Sequence, residues 1–113
     1  MPRELHPREL HPRALATWLA DPERPAPLLL DVREPWEIEI ASLPAIRAIP
    51  MHLVPLRMAE LPDDTPIVAI CHHGVRSYQV ALYLEKAGFD DVYSLTGGME
   101  EWANSVDPKM AHY

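Results

Sequence analysis

The sequence predicts a protein of the α/β class, in which helices alternate with the strands of a parallel sheet. Two observations lead to this fold class. Short apolar runs recur along the chain as LLLDV (28–32), PIVAI (66–70) and DVYSL (91–95), which is typical of strands buried on both faces. The segments between and after these runs carry the apolar spacing of helices, and such alternation favours a parallel arrangement of the strands.

Three segments are predicted to be helices. The first begins at Pro12, because proline is favoured in a first helical turn, and it ends before Pro22. The strongest helical pattern covers residues 77–87 and is followed by Gly88, where a left-handed helix cap belongs. A short helix is predicted after the glycine pair at 97 and 98.

The remaining segments have weaker patterns. Residues 34–43 are predicted to form a turn or short helix, 45–49 a possible short strand, and 52–61 a weak helix. The tail from residue 107 to 113 is predicted to be irregular.

The N-terminus carries a tandem repeat, with PRELH at residues 2 and 7 followed by PRAL at 12. A period of five residues fits neither a helix nor a strand. We therefore predict that residues 1–11 form an arm and that residues 12–113 form the folded domain. A metal site at His6 and His11 is the less favoured interpretation of this repeat, and a solvated extension is the favoured one.

The length, composition and net charge of the chain argue against several classes of function. The chain has 113 residues, the size of one ordinary domain, and 48% of them are hydrophobic. No stretch has the length of a membrane span, and the first twenty residues carry three arginines without the apolar core of a secretory signal, so a cytoplasmic protein is expected. A net charge of −7 argues against a broad nucleic-acid surface, although it allows a small anion in a local basic pocket.

The chain has one cysteine, Cys71, so it cannot form an internal disulfide. A cysteine-based zinc site is also disfavoured, since such sites usually need two or more thiolates. No metal site is predicted. Cys71 is therefore either a small buried side chain or a reactive thiol.

The segment CHHGVR, residues 71–76, favours the reactive thiol. It connects a buried strand to a predicted helix, and a loop at such a junction can direct its N–H groups inward to hold an anion. The same field favours thiolate over thiol. His72, His73 and Arg76 can add positive charge, and Gly74 permits a backbone conformation that a β-carbon would forbid. Each of these residues alone would indicate little.

Three blocks of sequence resemble the rhodanese-like sulfurtransferase domain, from about Pro7 to the end of the chain. LLLDVREPWE contains Asp31, Arg33, Glu34 and Glu37 of the first block, and PIVAICHHGVRS places Cys71 at the catalytic position. The third block, SLTGGMEEW, matches at the two glycines and at Trp102. The segment ASLPAIRAIP, residues 41–50, departs from the family because it lacks the usual histidine and glycine.

The resemblance implies a doubly wound, five-stranded parallel sheet flanked by helices. It implies a thiosulfate sulfurtransferase in which Cys71 takes sulfane sulfur from thiosulfate or a similar donor and passes it, as a persulfide, to a thiophilic acceptor such as cyanide or a thiol. The resemblance also implies a protein as an alternative sulfur donor or acceptor, and it implies no cofactor. The loop residues expected to bind substrate are His72, His73, Gly74, Val75 and Arg76. Asp31 and Arg33 are expected to be a structural ion pair near the site.

Two other functions are open. A non-catalytic interaction or sensor module would keep the fold, but such modules commonly lose the thiol that Cys71 retains. A cysteine-dependent phosphatase of related fold would resemble C-x-x-x-x-x-R, with five residues between nucleophile and arginine. Only four residues separate Cys71 from Arg76, which favours sulfur chemistry.

Overall fold

A five-stranded parallel sheet of order β1-β5-β4-β2-β3 forms the centre of the fold in the computed structural model, which describes residues 7–113. Every neighbouring pair of strands is parallel. The strands are β1 (Arg8–Leu10), β2 (Leu28–Asp31), β3 (Ile46–Ala48), β4 (Ile67–Ile70) and β5 (Val92–Leu95).

Helices connect the strands. They are α1 (Pro12–Ala20), α2 (Pro35–Ile40), α3 (Val54–Arg57), α4 (Val75–Lys86) and α5 (Gly98–Ser105). Short 3-10 turns, Met51–Leu53 and Met58–Glu60, flank α3 on either side, so the weak helical pattern of this region becomes three short pieces. None of the described helices is long and apolar enough to cross a membrane.

The hydrophobic core has one layer on each face of the sheet, as alternation along the strands requires. Leu30 of β2 and Ala69 of β4 belong to the layer that contains Val80 and Leu84 of α4. Leu29 and Val68, one position away, belong to the layer that contains Leu15 of α1 and Trp102 of α5. Helices therefore cover both faces, which confirms the predicted doubly wound α/β fold.

The order of the strands brings the predicted site residues to one edge of the sheet. The central strand β4 lies between β2 and β5, and Ile70 at its carboxyl end is in register with Asp31 of β2. In a parallel sheet the carboxyl ends of neighbouring strands meet at the same edge, where ligands usually bind. Cys71 directly follows the end of β4, and Arg33 lies two residues after the end of β2.

Part of the predicted N-terminal arm belongs to the sheet. Arg8–Leu10, within the second PRELH unit, pairs with β5 in parallel, and Leu10 is in register with Leu95. The sheet thus includes three residues that a boundary at residue 12 would assign to the arm. Residues 1–6, including His6 and the first repeat unit, lie outside the described residues.

His11 has a local structural role. It is the N-cap of α1, and its Nδ1 accepts a hydrogen bond from the Arg13 N–H at 3.1 Å. Such a cap satisfies one of the free N–H groups of the first turn. Within residues 7–113 no group of three or more histidine, cysteine, aspartate or glutamate residues is arranged to hold a metal ion.

The strongest helix begins earlier than its apolar pattern predicts. Its first residue is Val75, whereas the sequence predicted a start near Ser77. Gly74 occupies the N-cap position with φ of +94°, a left-handed conformation that favours glycine. Because α4 starts within the segment 71–76, the loop contains only a few residues between the strand and the helix.

Candidate active site

The thiol of Cys71 lies inside a turn of backbone N–H groups. Its Sγ accepts hydrogen bonds from the N–H of Gly74 at 3.0 Å and from the N–H of Ser77 at 3.3 Å. Cys71 is completely buried. Two N–H groups directed at one sulfur, at the start of a helix, stabilise a negative charge on that sulfur.

Two serine hydroxyls lie behind the sulfur. The thiol of Cys71 donates to the Ser77 Oγ at 3.4 Å, and that oxygen is 2.8 Å from the Ser94 Oγ on β5. Both serines are buried. Ser77 therefore contacts the sulfur through its backbone and its side chain, a role that the sequence analysis missed although Ser77 directly follows Arg76.

The N-terminus of α5 supports the loop from the other side. The N–H groups of Met99 and Glu100 donate to the carbonyl oxygens of Cys71 at 2.9 Å and His72 at 3.1 Å. This contact requires Gly98, since a Cβ there would overlap the backbone of Cys71 and His72. The paired glycines of the third block thus let α5 approach the active-site loop closely.

Asp31 and Arg33 form an ion pair, and both side chains are fully buried. The Arg33 Nη2 donates to the Asp31 Oδ2 at 2.7 Å, and the Nε donates to Oδ1 at 2.9 Å. The guanidinium also donates to the carbonyl oxygen of Ala41 at 2.7 Å. Buried charges are tolerated when their hydrogen bonds are satisfied, and here the pair connects the end of β2 to the end of α2.

Arg76 is bound by a carboxylate from the first block. Its two terminal nitrogens donate to the two carboxylate oxygens of Glu37, each at 2.7 Å. The hydrogen bonds from Arg76 lower the pKa of Glu37 to about 2, against the opposing effect of burial, and Glu37 in turn raises the pKa of Arg76. The charge that the sequence predicted for anion binding is therefore offset by a neighbouring carboxylate.

The two histidines stack on each other, with ring centroids 3.9 Å apart. Burial lowers the pKa of His72, and His73 adds to this effect while Glu100 opposes it. The lowered pKa favours the uncharged form of His72. Val75 projects outward and is 65% exposed. The structure thus brings all six residues of the loop together, but it directs only the N–H groups and Ser77 at the sulfur.

Tyr113 is a second residue that the sequence analysis missed. Its ring stacks on His72 with centroids 3.7 Å apart, and its hydroxyl contacts Arg33 and Glu37. No local pattern in the tail indicates this role, because Tyr113 lies far along the chain from the residues it contacts.

The comparisons with known proteins identify the family of the chain. The family model described as "Rhodanese-like domain" matches residues 13–105. A sulfurtransferase of Allochromatium vinosum is 42% identical over 98 residues, covering 87% of this chain and 90% of that protein. The thiosulfate sulfurtransferase GlpE of Pseudomonas aeruginosa is 39% identical over 80 residues, which cover 71% of this chain and 72% of that protein.

Solved structures give the same result. A rhodanese-related protein from Thermoplasma volcanium superimposes with a TM-score of 0.79 at 26% identity, covering 88% of this chain and 93% of that one. The match of the family model, the close relatives and the shared fold together show that the chain belongs to the rhodanese-like sulfurtransferase family.

Proposed function

We propose that the protein moves sulfane sulfur from thiosulfate or a similar donor to a thiophilic acceptor through a persulfide on Cys71. The observation that carries this proposal is the position of the Cys71 Sγ, which accepts the N–H groups of Gly74 and Ser77 at 3.0 and 3.3 Å. The thiolate is the nucleophilic form of a cysteine, and N–H groups directed at the sulfur stabilise that form. The GlpE relatives, which are thiosulfate sulfurtransferases by name, support thiosulfate as the donor.

The transfer takes two displacement steps. The Cys71 thiolate attacks the outer sulfur of thiosulfate, the sulfur–sulfur bond of the donor breaks, and sulfite leaves with the bonding pair. The carbon of cyanide, or the sulfur of a thiolate, then attacks the outer sulfur of the persulfide, and the Cys71 thiolate leaves. Both steps move electron pairs between sulfur atoms and their partners, so neither needs a redox cofactor or a metal ion.

The loop residues have distinct parts in this proposal. The N–H groups of Gly74 and Ser77 stabilise the thiolate, both before the first step and when it leaves in the second. His72, His73 and Val75 are proposed to contact the donor when it approaches Cys71, because they belong to the same loop. Arg76, which the sequence predicted to bind the donor, contributes mainly by holding the loop, because Glu37 already binds both of its terminal nitrogens.

The buried pair of Asp31 and Arg33 is proposed to be structural. It connects β2 to α2, and α2 carries the Glu37 that binds Arg76. The proposed partners are a small sulfur donor and a thiophilic acceptor, and a protein thiol or persulfide is an additional candidate. The proposed location is the cytoplasm. Neither nucleic acid nor a membrane is proposed as a partner.

One observation favours a non-catalytic module as the second candidate function. Cys71 is completely buried, so a donor reaches the sulfur only if the side chains around the loop move. An interaction or sensor module of the same fold would need no such opening. The two functions differ in whether Cys71 acquires sulfur.

The test is intact-protein mass spectrometry after incubation with thiosulfate. The expected result is a gain of one sulfur atom, its removal by cyanide, and the appearance of thiocyanate. Cys71→Ser should abolish all three while leaving the circular dichroism spectrum unchanged. A wild-type protein that gains no sulfur from thiosulfate or from an organic persulfide would favour the non-catalytic module, and turnover retained by Cys71→Ser would contradict the mechanism.

A further inference from the structure

The side chain of Tyr113 packs against the active-site loop. Its ring lies nearly parallel to that of His72, with an interplanar angle of 11° and centroids 3.7 Å apart. His73 stacks on His72 with centroids 3.9 Å apart. Trp36 contacts the Tyr113 ring edge-on at 6.0 Å. Stacked and edge-on arrangements of this kind are the favoured geometries of aromatic pairs, so the ring of Tyr113 restrains that of His72.

The hydroxyl of Tyr113 reaches the opposite side of the loop. It accepts a hydrogen bond from the Arg33 Nη1 at 3.0 Å and donates one to the Glu37 Oε1 at 3.1 Å. Glu37 in turn binds both terminal nitrogens of Arg76. One side chain therefore restrains His72 directly and Arg76 through Glu37, at the two sides of the turn around Cys71.

The rest of the tail holds Tyr113 in this place. The Asp107 N–H donates to the Trp102 carbonyl oxygen at 3.0 Å, and Met110 packs against the core layer of α1 and α5. The His112 Nδ1 lies 2.9 Å from the Glu100 Oε1, and the other oxygen of Glu100 lies 3.7 Å from the His72 Nε2. Burial raises the pKa of Tyr113, so its hydroxyl keeps the proton that it donates.

We propose that Tyr113 is a positioning residue for sulfur transfer, which keeps the N–H groups of Gly74 and Ser77 directed at the Cys71 sulfur by restraining His72 and Arg76. This inference rests on the proposed function of Cys71. Its physical basis is preorganisation, since groups that stabilise a charge act best when they are already in place. A displacement of ~1 Å in such a site can lower a rate by about a hundredfold.

The experiment compares wild type with Tyr113→Phe, Tyr113→Ala and a control, Tyr83→Ala. Tyr113→Phe keeps the stack on His72 but loses both hydroxyl contacts. Tyr113→Ala loses the stack as well as the two hydroxyl contacts. Tyr83 is a partly exposed tyrosine on α4 with no aromatic partner among the described contacts, so its substitution removes a similar ring away from the loop. Each variant is assayed for kcat and KM with thiosulfate and cyanide, for the pH profile of Cys71 alkylation by iodoacetamide, and for thermal unfolding.

For Tyr113→Ala we expect kcat to fall by about tenfold or more with a smaller change in KM, because the groups it restrains act on the reacting sulfur. The midpoint of the alkylation profile should move to higher pH, since the thiolate loses ordered N–H donors. Tyr113→Phe should lie between wild type and Tyr113→Ala in both readouts, and Tyr83→Ala should match wild type.

The alkylation profile separates this inference from the proposed function, since it needs no sulfur transfer. If wild type transfers no sulfur but Tyr113→Ala still shifts the profile, the restraint of the loop stands and only the function is wrong. An unchanged profile and unchanged kcat in both Tyr113 variants, with only a lower unfolding temperature, would overturn the inference. If Tyr113→Ala does not fold, Tyr113→Phe alone decides, and a Phe variant equal to wild type in both readouts would overturn it.

Discussion

Glu37 and Arg76 form an ion pair in which both carboxylate oxygens receive a guanidinium nitrogen at 2.7 Å. Glu37 is the last residue of the first block and lies on α2, and Arg76 closes the active-site loop, 39 residues further along the chain. The Glu37 side chain is only 5% exposed, whereas that of Arg76 is 33% exposed. A planar two-point contact of this kind fixes the orientation of the guanidinium as well as its charge.

The first prediction concerns Arg76→Ala. The substitution leaves the buried carboxylate of Glu37 without its cation, so the free energy of unfolding should fall by about 3 kcal/mol, the low end for one partner lost from a buried pair. Because Arg76 is already neutralised, kcat should fall for thiosulfate and for a neutral persulfide donor alike. Chemical denaturation and steady-state kinetics with both donors measure these effects.

A charge-preserving variant gives the control for this prediction. Arg76→Lys retains one positive charge but cannot make the two-point contact, so it should recover part of the stability and little of kcat. The opposite pattern would be a higher KM for thiosulfate alone, with kcat and the neutral donor unaffected. That pattern would assign Arg76 to direct binding of the anionic donor, as the sequence predicted.

The second prediction concerns acid stability. Glu37 has a pKa of about 2 in the folded protein, below its ordinary value of 4.5. A lowered folded pKa means that the stabilisation is fully present above pH 4.5 and is lost as the pH falls through the folded value of about 2. With allowance for solvent around Arg76, this contribution should be about 2–3 kcal/mol.

Glu37→Gln provides the measurement. At pH 6 the variant should be less stable than wild type, and the difference in unfolding free energy should shrink as the pH is lowered toward 2.5. Glu60→Gln is the matched control, because Glu60 forms an exposed pair with Arg57 and its pKa is also lowered. Its substitution should have a much smaller effect. A difference between wild type and Glu37→Gln that is constant with pH would contradict the prediction.

Local patterns predicted most of the strands and helices. The runs at β2, β4 and β5 are short and apolar because both faces of each central strand are covered, and this signal is visible without tertiary information. Strand β1 is different, since Arg8 and Glu9 are exposed at the edge of the sheet. Its pairing with β5 is a tertiary contact, so the repeat alone could not show which part of it is a strand.

For the candidate site the sequence predicted the geometry around the sulfur, whereas the roles of the individual residues stay predictions. The order of residues in CHHGVR indicated a cradle of N–H groups around one sulfur, and the distances from Gly74 and Ser77 to the Cys71 Sγ agree with that expectation. The partner of Arg76 and the position of Tyr113 could not be predicted, because they depend on contacts between distant segments. Charge alone suggested that Arg76 was available to an anion, whereas folding supplies it with Glu37.

The third prediction concerns Gly98. It has φ of +59°, and a Cβ there would overlap the carbonyl oxygens of Cys71 and His72, which are backbone atoms of the active-site loop. Gly98→Ala should therefore lower the free energy of unfolding by more than about 4 kcal/mol, in the range of severe steric conflicts, or displace the loop. Urea denaturation, with sulfur transfer measured on any folded protein, tests this expectation.

Gly88→Ala is the matched control for Gly98→Ala. Gly88 also has a positive φ, of +108°, but no atom lies within 4 Å of the position that its Cβ would take. Its substitution should cost only the conformational strain of a left-handed residue, about 1–2 kcal/mol, and should leave kcat unchanged. Equal losses of stability in the two variants would show that the close approach of α5 to the loop is unimportant.

The fourth prediction is that this loop transfers sulfur and does not hydrolyse phosphate esters. Four residues separate Cys71 from Arg76, and the N–H groups of Gly74 and Ser77 lie 3.0 and 3.3 Å from the sulfur. A turn of this size suits one additional sulfur atom, whereas a phosphoryl group brings phosphorus and three oxygens. Phosphate transfer also usually needs a carboxylic acid to protonate the leaving oxygen. Glu37, the carboxylate bound to the loop arginine, has a pKa of about 2, so it is ionised at neutral pH and cannot supply that proton.

Two measurements test this prediction. At matched enzyme concentration, thiocyanate formation from thiosulfate and cyanide should proceed, while phosphate release from an aryl phosphate should stay at the level of Cys71→Ser. Inserting one glycine after Gly74 should lower sulfur transfer by about a hundredfold, because it displaces the N–H groups from the sulfur and separates Arg76 from Glu37. One glycine inserted after Asp63, in the exposed turn before β4, is the control and should leave the activity near that of wild type. Phosphate release that depends on Cys71 and exceeds thiocyanate formation would contradict the prediction. It would show that phosphate hydrolysis does not require a loop with five residues between cysteine and arginine.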